Sequence, residues 1–212
     1  MSSHRCDGLF PADKVCGTNI NGLFAAGDAL CSAGVHGGGV SSSGCAVQGA
    51  KAGLSASAFA KSIKENSINE DNLKRVLNNS FRPRKLEKGF SSTWSTQLLQ
   101  SIMTPYYVLL AKSEDRLQAA LINIDFLKTQ VAPNLVATDA HELRLVHETR
   151  NMILNAEMKL KASIFRKETR TTHYREDYPE RDDSWNAWVI LKQAKDGSMD
   201  LEKRQIPSNW LA

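Results

Sequence analysis

Gly22-Leu23-Phe24-Ala25-Ala26-Gly27-Asp28 is the stretch from which the rest of the chain can be read. Its apolar run, Leu23–Ala26, suits a buried strand that stops at Gly27-Asp28, with its last residues facing a ligand crevice. Downstream lies Gly34-Val-His-Gly-Gly-Gly-Val-Ser-Ser-Ser-Gly44, rich in residues that tolerate unusual backbone angles. From Cys45 the pattern turns helical, with Ala46, Val47, Ala50, Leu54, Ala58 and Phe59 at three- and four-residue steps. Gly49, Ala50, Ala52 and Gly53 would let this helix press close to a sheet.

Strand, glycine-serine loop and small-residue helix together read as half of a nucleotide-binding unit. The loop is not the G-x-G-x-x-G fingerprint, because Ser42 stands in the third place after Gly37 and Gly39. A self-sufficient Rossmann domain is therefore not expected. Ser42, Ser43 and Gly44 sit where a helix begins, and amides there attract anions or electron-rich carbonyl oxygens. The alternative for the loop is a flexible surface segment. Asp28 could accept hydrogen bonds from a sugar or polyol hydroxyl, or simply form the turn. His36, within the loop, is either a proton donor and substrate contact or a solvated histidine. His141 and His147, six residues apart on one helix, do not share a face and read as structural. Arg170, His173 and Arg175 either bind an anion or form a solvated, salt-bridged run.

Eleven of the 13 glycines lie in residues 1–60, where three basic residues balance three acidic ones. The remainder carries 24 basic and 20 acidic residues and reads as amphipathic helix. A net charge of +4 over 212 residues is too weak to argue for nucleic acid. No run approaches the ~20 apolar residues of a membrane helix. The start lacks the apolar core of a secretory signal, so the cytoplasm is the expected location. Cys6, Cys16, Cys31 and Cys45 contain no Cys-x-x-Cys pair; thiols and no metal are expected.

Beyond a polar linker, the spacing predicts helices over Glu70–Asn79 and Thr93–Leu110, the second kinked or split by Pro105. Ser113 is expected to cap a helix to about Val131, carrying Leu117, Leu121, Ile124, Leu127 and Val131 on one face. Asp139 with Glu142 opens a long helix to about Lys167, with Val146, Ile153, Leu160 and Ile164 inward. A charge-dense stretch, Tyr174–Asp183, then leads to a hairpin of Trp185–Leu191 and Met199–Lys203 about the Asp196-Gly197 turn. The expected class is α+β: an incomplete nucleotide-binding α/β segment (1–65), an antiparallel bundle of three to four helices (66–168), and a tail with a short β-hairpin (169–212).

These pieces, in this order, resemble the C-terminal part of the fumarate reductase/succinate dehydrogenase flavoprotein family. The likeness rests on Gly22–Asp28, His36, Ser42-Ser-Gly44, Gln48-Gly-Ala-Lys-Ala-Gly53, Glu168-Thr-Arg170 and His173–Asp183 before Trp185. It implies FAD as cofactor, with Asp28 on the ribityl chain, Ser43, Gly44 and Cys45 at the flavin pyrimidine, and Ser42 beside them as a further cofactor-binding candidate. Helix-terminal amides would stabilise negative charge gathering there on reduction. The loop lacks the family's dicarboxylate-binding arginine and is closer to the adenylylsulfate reductase alpha-subunit branch, in which the loop histidine lines the substrate pocket. The resemblance thus makes His36 the catalytic candidate. It implies as partners the missing N-terminal flavoprotein portion and an iron-sulfur electron-transfer subunit. The expected function is a C-terminal fragment of an FAD-dependent oxidoreductase, inactive alone. The alternative is a non-catalytic helical module that docks onto an electron-transfer or flavoprotein partner.

Overall fold

The computed structural model describes residues 8–30, 42–64 and 68–207. They divide into two units, Met1–Ile68 and Asn69–Ala212.

In the first unit, Leu23–Ala26 is not a strand. Among the described residues it forms one isolated bridge, Phe24 with Gly17, antiparallel; another bridge of the unit joins Leu9 and Leu30 in parallel. The backbone enters the left-handed region at Cys16 (φ 68°), Gly22 (φ 81°) and Gly27 (φ 64°), too often for a ladder to propagate. Asp13 ties this loop, its Oδ1 accepting the amides of Val15 and Gly17 at 2.8 Å each. A single 3-10 turn, Gly27–Ala29, follows, and then α1, Ser42–Ser62. Cys16, Ala25, Leu30 and Ala52 form the small core, with Phe24 edge-on to Phe59 at 6.2 Å.

α1 begins at Ser42, three residues before the helical pattern of the sequence becomes visible. Its inward face also differs from the expected one. Ala52 is buried and Cys45, Gln48 and Phe59 are half-buried, whereas Ala46, Val47, Ala50, Leu54 and Ala58 are exposed. The loop of residues 8–30 takes the first stripe, and no described residue covers the more apolar second one. A Cβ placed on Gly49 or Gly53 would meet nothing within 4 Å.

The second unit is mainly helical: α2 Glu70–Phe81, α3 Ser92–Met103, α4 Tyr106–Leu109, α5 Glu114–Phe126 and α6 Ala140–Phe165. Asn69 caps α2 by accepting the Asn72 amide at 2.9 Å, and Asp139 caps α6 through the Glu142 amide at 2.8 Å. Pro105 splits α3 from α4, since it cannot donate a helical hydrogen bond. α5 continues as a π-helical turn, Leu127–Val131, before Pro133 ends it. Ser113 stands at the N-cap without a side-chain bond; Asp177 Oδ2, from the tail, accepts the Glu114 amide at 2.9 Å instead. Leu99, Leu117, Ile124, Leu127, Val131, Val146, Ile153 and Leu160 fill the core among α3, α5 and α6. At about 25 cal/mol per Å², burying these side chains outweighs the helix caps in holding the unit together.

Two short sheets complete the unit. β1, Ala111–Lys112, pairs in parallel with β2, Tyr174–Arg175, so the tail returns to the start of α5. β3, Ala187–Gln193, and β4, Met199–Gln205, form the expected hairpin, with Gly197 left-handed (φ 84°) in its turn.

Candidate functional site

Asp28 occupies the middle of the Gly27–Ala29 turn, exposed and with no side-chain bond to another described residue. The turn closes by a hydrogen bond from the Leu30 amide to the Gly27 carbonyl at 3.0 Å. α1 packs against it. Gly27 is buried between two α1 side chains: a Cβ there would lie 3.2 Å from Cys45 Sγ, and its amide donates to Gln48 Oε1 at 2.9 Å. Ser42, Ser43 and Gly44 form the first turn of α1, where amides lack helical acceptors. Cys45 is one residue further, where the i→i−4 pattern begins to use the amide, and what it turns toward Gly27 is its thiol. His36 lies outside the described residues.

This arrangement brings an exposed carboxylate and an amide-rich helix opening into one small unit. Its donor and acceptor set fits a flavin in two places. The carboxylate suits polyol hydroxyls; the amides suit an electron-rich ring edge. Among the described residues no second glycine-rich turn could cradle a pyrophosphate, and no group of three or more His, Cys, Asp or Glu side chains could hold a metal ion.

The Arg170, His173 and Arg175 cluster is built differently from a solvated run. Arg175 is fully buried. Its Nε and Nη2 each donate to the Asp177 carboxylate at 2.7 Å, and Nη1 donates to the carbonyl of Ser163 at 2.7 Å. The same nitrogen reaches the Ile164 and Arg166 carbonyls at 3.3 Å, so the guanidinium caps the C-terminal end of α6. Glu168, also fully buried, pairs with Arg166 and Arg170 and accepts the Asp182 amide. The hydrogen bonds from Arg175 hold the Asp177 carboxyl down at about 2. Burial, helped by Lys112, Arg166 and Arg175 nearby, lowers His173 to about 4 although its Nε2 contacts the Arg166 carbonyl. The cluster is a latch that fixes the tail to α5 and α6, and its guanidinium groups are already engaged. His147 is likewise structural, its Nε2 3.1 Å from the Ser80 carbonyl.

Gln48 and Glu168 carry roles that pattern reading did not assign. A lone glutamine inside a helix gives no periodic signal, and an acidic residue between two arginines reads as surface.

The model of the family described as fumarate reductase flavoprotein C-term matches residues 96–211, more than half of the chain, and the chain belongs to that family. It is 33% identical over 202 residues to an uncharacterized FAD-dependent oxidoreductase of Methanocaldococcus jannaschii, covering 92% of this chain and 36% of that protein. It is 28% identical over 207 residues to one of the subunits of the CoM/CoB fumarate reductase of Methanothermobacter marburgensis, covering 91% of this chain and 36% of that protein. The chain thus spans about a third of the length of these relatives. Among solved structures, the Mycobacterium smegmatis Sdh1 complex superposes with a TM-score of 0.75 at 28% identity, over 87% of this chain and 33% of that one. Adenylylsulfate reductase from Archaeoglobus fulgidus superposes with a TM-score of 0.70 at 27% identity, over 78% of this chain and 29% of that one. No helix among the described residues is long and apolar enough to cross a membrane.

Proposed function

We propose that this chain is the C-terminal portion of an FAD-dependent oxidoreductase, supplying one wall of the flavin site and a helical domain, and inactive alone. The observation that carries the reading is the seating of Asp28 on a turn packed against the opening of α1. FAD, when bound, supplies hydride transfer. Asp28 accepts hydrogen bonds from ribityl hydroxyls, while the amides of Ser42, Ser43 and Gly44 donate to the pyrimidine edge and Cys45 packs beside them. His36 is the candidate proton donor or substrate contact. The thiols of Cys16 and Cys45 fit a reducing cytoplasm.

Inactivity alone follows from the contacts that are missing. The pyrophosphate has no cradle among the described residues, and the apolar stripe of α1, with Val47 57% and Leu54 75% exposed, is open. That stripe suits the N-terminal flavoprotein portion, and an iron-sulfur subunit is the expected electron partner. The test is reconstitution with a separately expressed N-terminal portion. A yellow complex reducing a dye, weakened by Asp28→Ala, supports the reading; a colourless, inactive complex counts against it.

One observation favours the second reading, a non-catalytic helical module docking onto an electron-transfer or flavoprotein partner. α2 buries no residue and exposes Leu73, Val76, Leu77 and Phe81 together. If the reconstituted complex forms without colour, and substitution of these side chains by Ser dissolves it, the module reading prevails.

A further inference from the structure

We infer that Gln48 is the positioning residue of this site: its carboxamide holds the Gly27–Ala29 turn, and with it Asp28, against the opening of α1. The inference rests on the flavin reading only for the purpose of that placement; the clamp itself is a matter of geometry.

Four observations carry it. The Gly27 amide belongs to a buried residue, and its hydrogen bond is to Gln48 Oε1 at 2.9 Å. Gly27 is left-handed, a conformation a turn must hold against the extended alternatives. Three residues before Gln48, on the same face of α1, Cys45 closes over Gly27, so the glycine is gripped from two successive turns. Finally, the backbone carbonyl of Gln48 accepts from Cys16 Sγ at 3.8 Å. Cys16 is itself left-handed, and its carbonyl takes the Ala25 amide at 3.0 Å. One residue therefore ties both left-handed positions that bracket Gly17–Ala26 to the start of the helix.

Asp28 has no side-chain bond of its own among the described residues, so the direction of its carboxylate is inherited from the turn. A residue here must reach across from the helix and end in an acceptor. Glutamine and glutamate do so; methionine matches the length and fills the space but cannot accept an amide with comparable strength.

The experiment uses the full chain, labelled with ¹⁵N, as wild type, Gln48→Met and Gln48→Glu. Amide exchange at Gly27 and Leu30 is read against that of α5 and α6, followed by addition of FAD. The expected result is exchange at least about 10-fold faster at both amides in Gln48→Met, the loss of one buried hydrogen bond. Exchange in α5 and α6 should be unchanged, and Gln48→Glu should restore protection to within about threefold. FAD-induced shifts at Asp28, present in wild type, should shrink in Gln48→Met and return in Gln48→Glu. Unchanged protection in Gln48→Met overturns the inference, as does a Gln48→Glu variant as damaged as Gln48→Met. Uniform loss of protection along all of α1 overturns it too, because Gln48 would then support the whole unit and not the turn. If FAD shifts nothing in wild type while the exchange pattern holds, the clamp is upheld and the flavin reading alone fails.

Discussion

Arg175→Met removes a guanidinium that the tail cannot replace. In the native chain this side chain is fully buried, makes two 2.7 Å bonds to Asp177 and one to the Ser163 carbonyl, and reaches Glu114 Oε2 at 3.4 Å. Breaking a buried ion pair from one side costs about 3–5 kcal/mol, because the partner charge and acceptors stay behind. Here the Asp177 side chain is 29% exposed and that of Glu114 38%, so water can reach both carboxylates once the pair is gone. That places the expected loss at the lower end, about 3 kcal/mol. Arg175→Lys keeps the charge but cannot make the two-pronged contact, and should lose about 1–2 kcal/mol. Urea unfolding followed by tryptophan fluorescence is the assay. Trp94, Trp185, Trp188 and Trp210 all lie beyond Ile68, the end of the first unit, so the signal reports the second unit alone. A loss below about 1 kcal/mol for Arg175→Met would refute the latch, as would a lysine variant as stable as wild type.

His173 has its native value lowered to about 4 by burial, below the unfolded value of about 6.5, so its stabilisation is full above pH 6.5 and drains away as the pH falls from there toward 4. Asp177, held at about 2, adds a second loss below its unfolded value of about 3.8; urea midpoints between pH 8 and 3 should fall in that order, and a midpoint rising between pH 6.5 and 4 contradicts it. Gly27→Ala forces a Cβ into the left-handed region 3.2 Å from Cys45 Sγ and should cost the first unit about 1–3 kcal/mol, read as faster amide exchange in residues 24–30. Gly49→Ala and Gly53→Ala meet open space and should each stabilise α1 by up to about 1 kcal/mol in the isolated chain, while weakening assembly with an N-terminal portion in a pull-down.

Much of the second unit was legible because its signals are local. Asp139 at the start of α6, the apolar spacing from Leu117 to Val131, and Asp196-Gly197 between alternating residues each act within a few positions. Leu23–Ala26 misled for the opposite reason. An apolar run indicates burial, yet a ladder also needs a partner, and the left-handed turns at Gly22 and Gly27 leave it one bridge among the described residues, Phe24 with Gly17. The face of α1 misled too: apolarity favoured Val47 and Leu54, whereas the loop packs on Cys45, Gln48 and Ala52. Arg175 was hidden by its chemistry. A charged run normally stays in water, and only the meeting of β1 with β2 at the end of α6 makes a buried arginine favourable. At the site, Asp28 and the α1 opening were visible as a turn and a helix start, but their common anchor in Gln48 depends on a contact across 21 positions.

The most direct measurement is a titration of the ¹⁵N-labelled chain with FAD, monitored residue by residue. Weak association is expected, with Kd above about 100 μM, and resonance changes centred on Gly27–Leu30 and Gly44–Gln48. Changes confined to α2–α6, or tight one-to-one binding by the chain alone, would contradict a partial flavin wall.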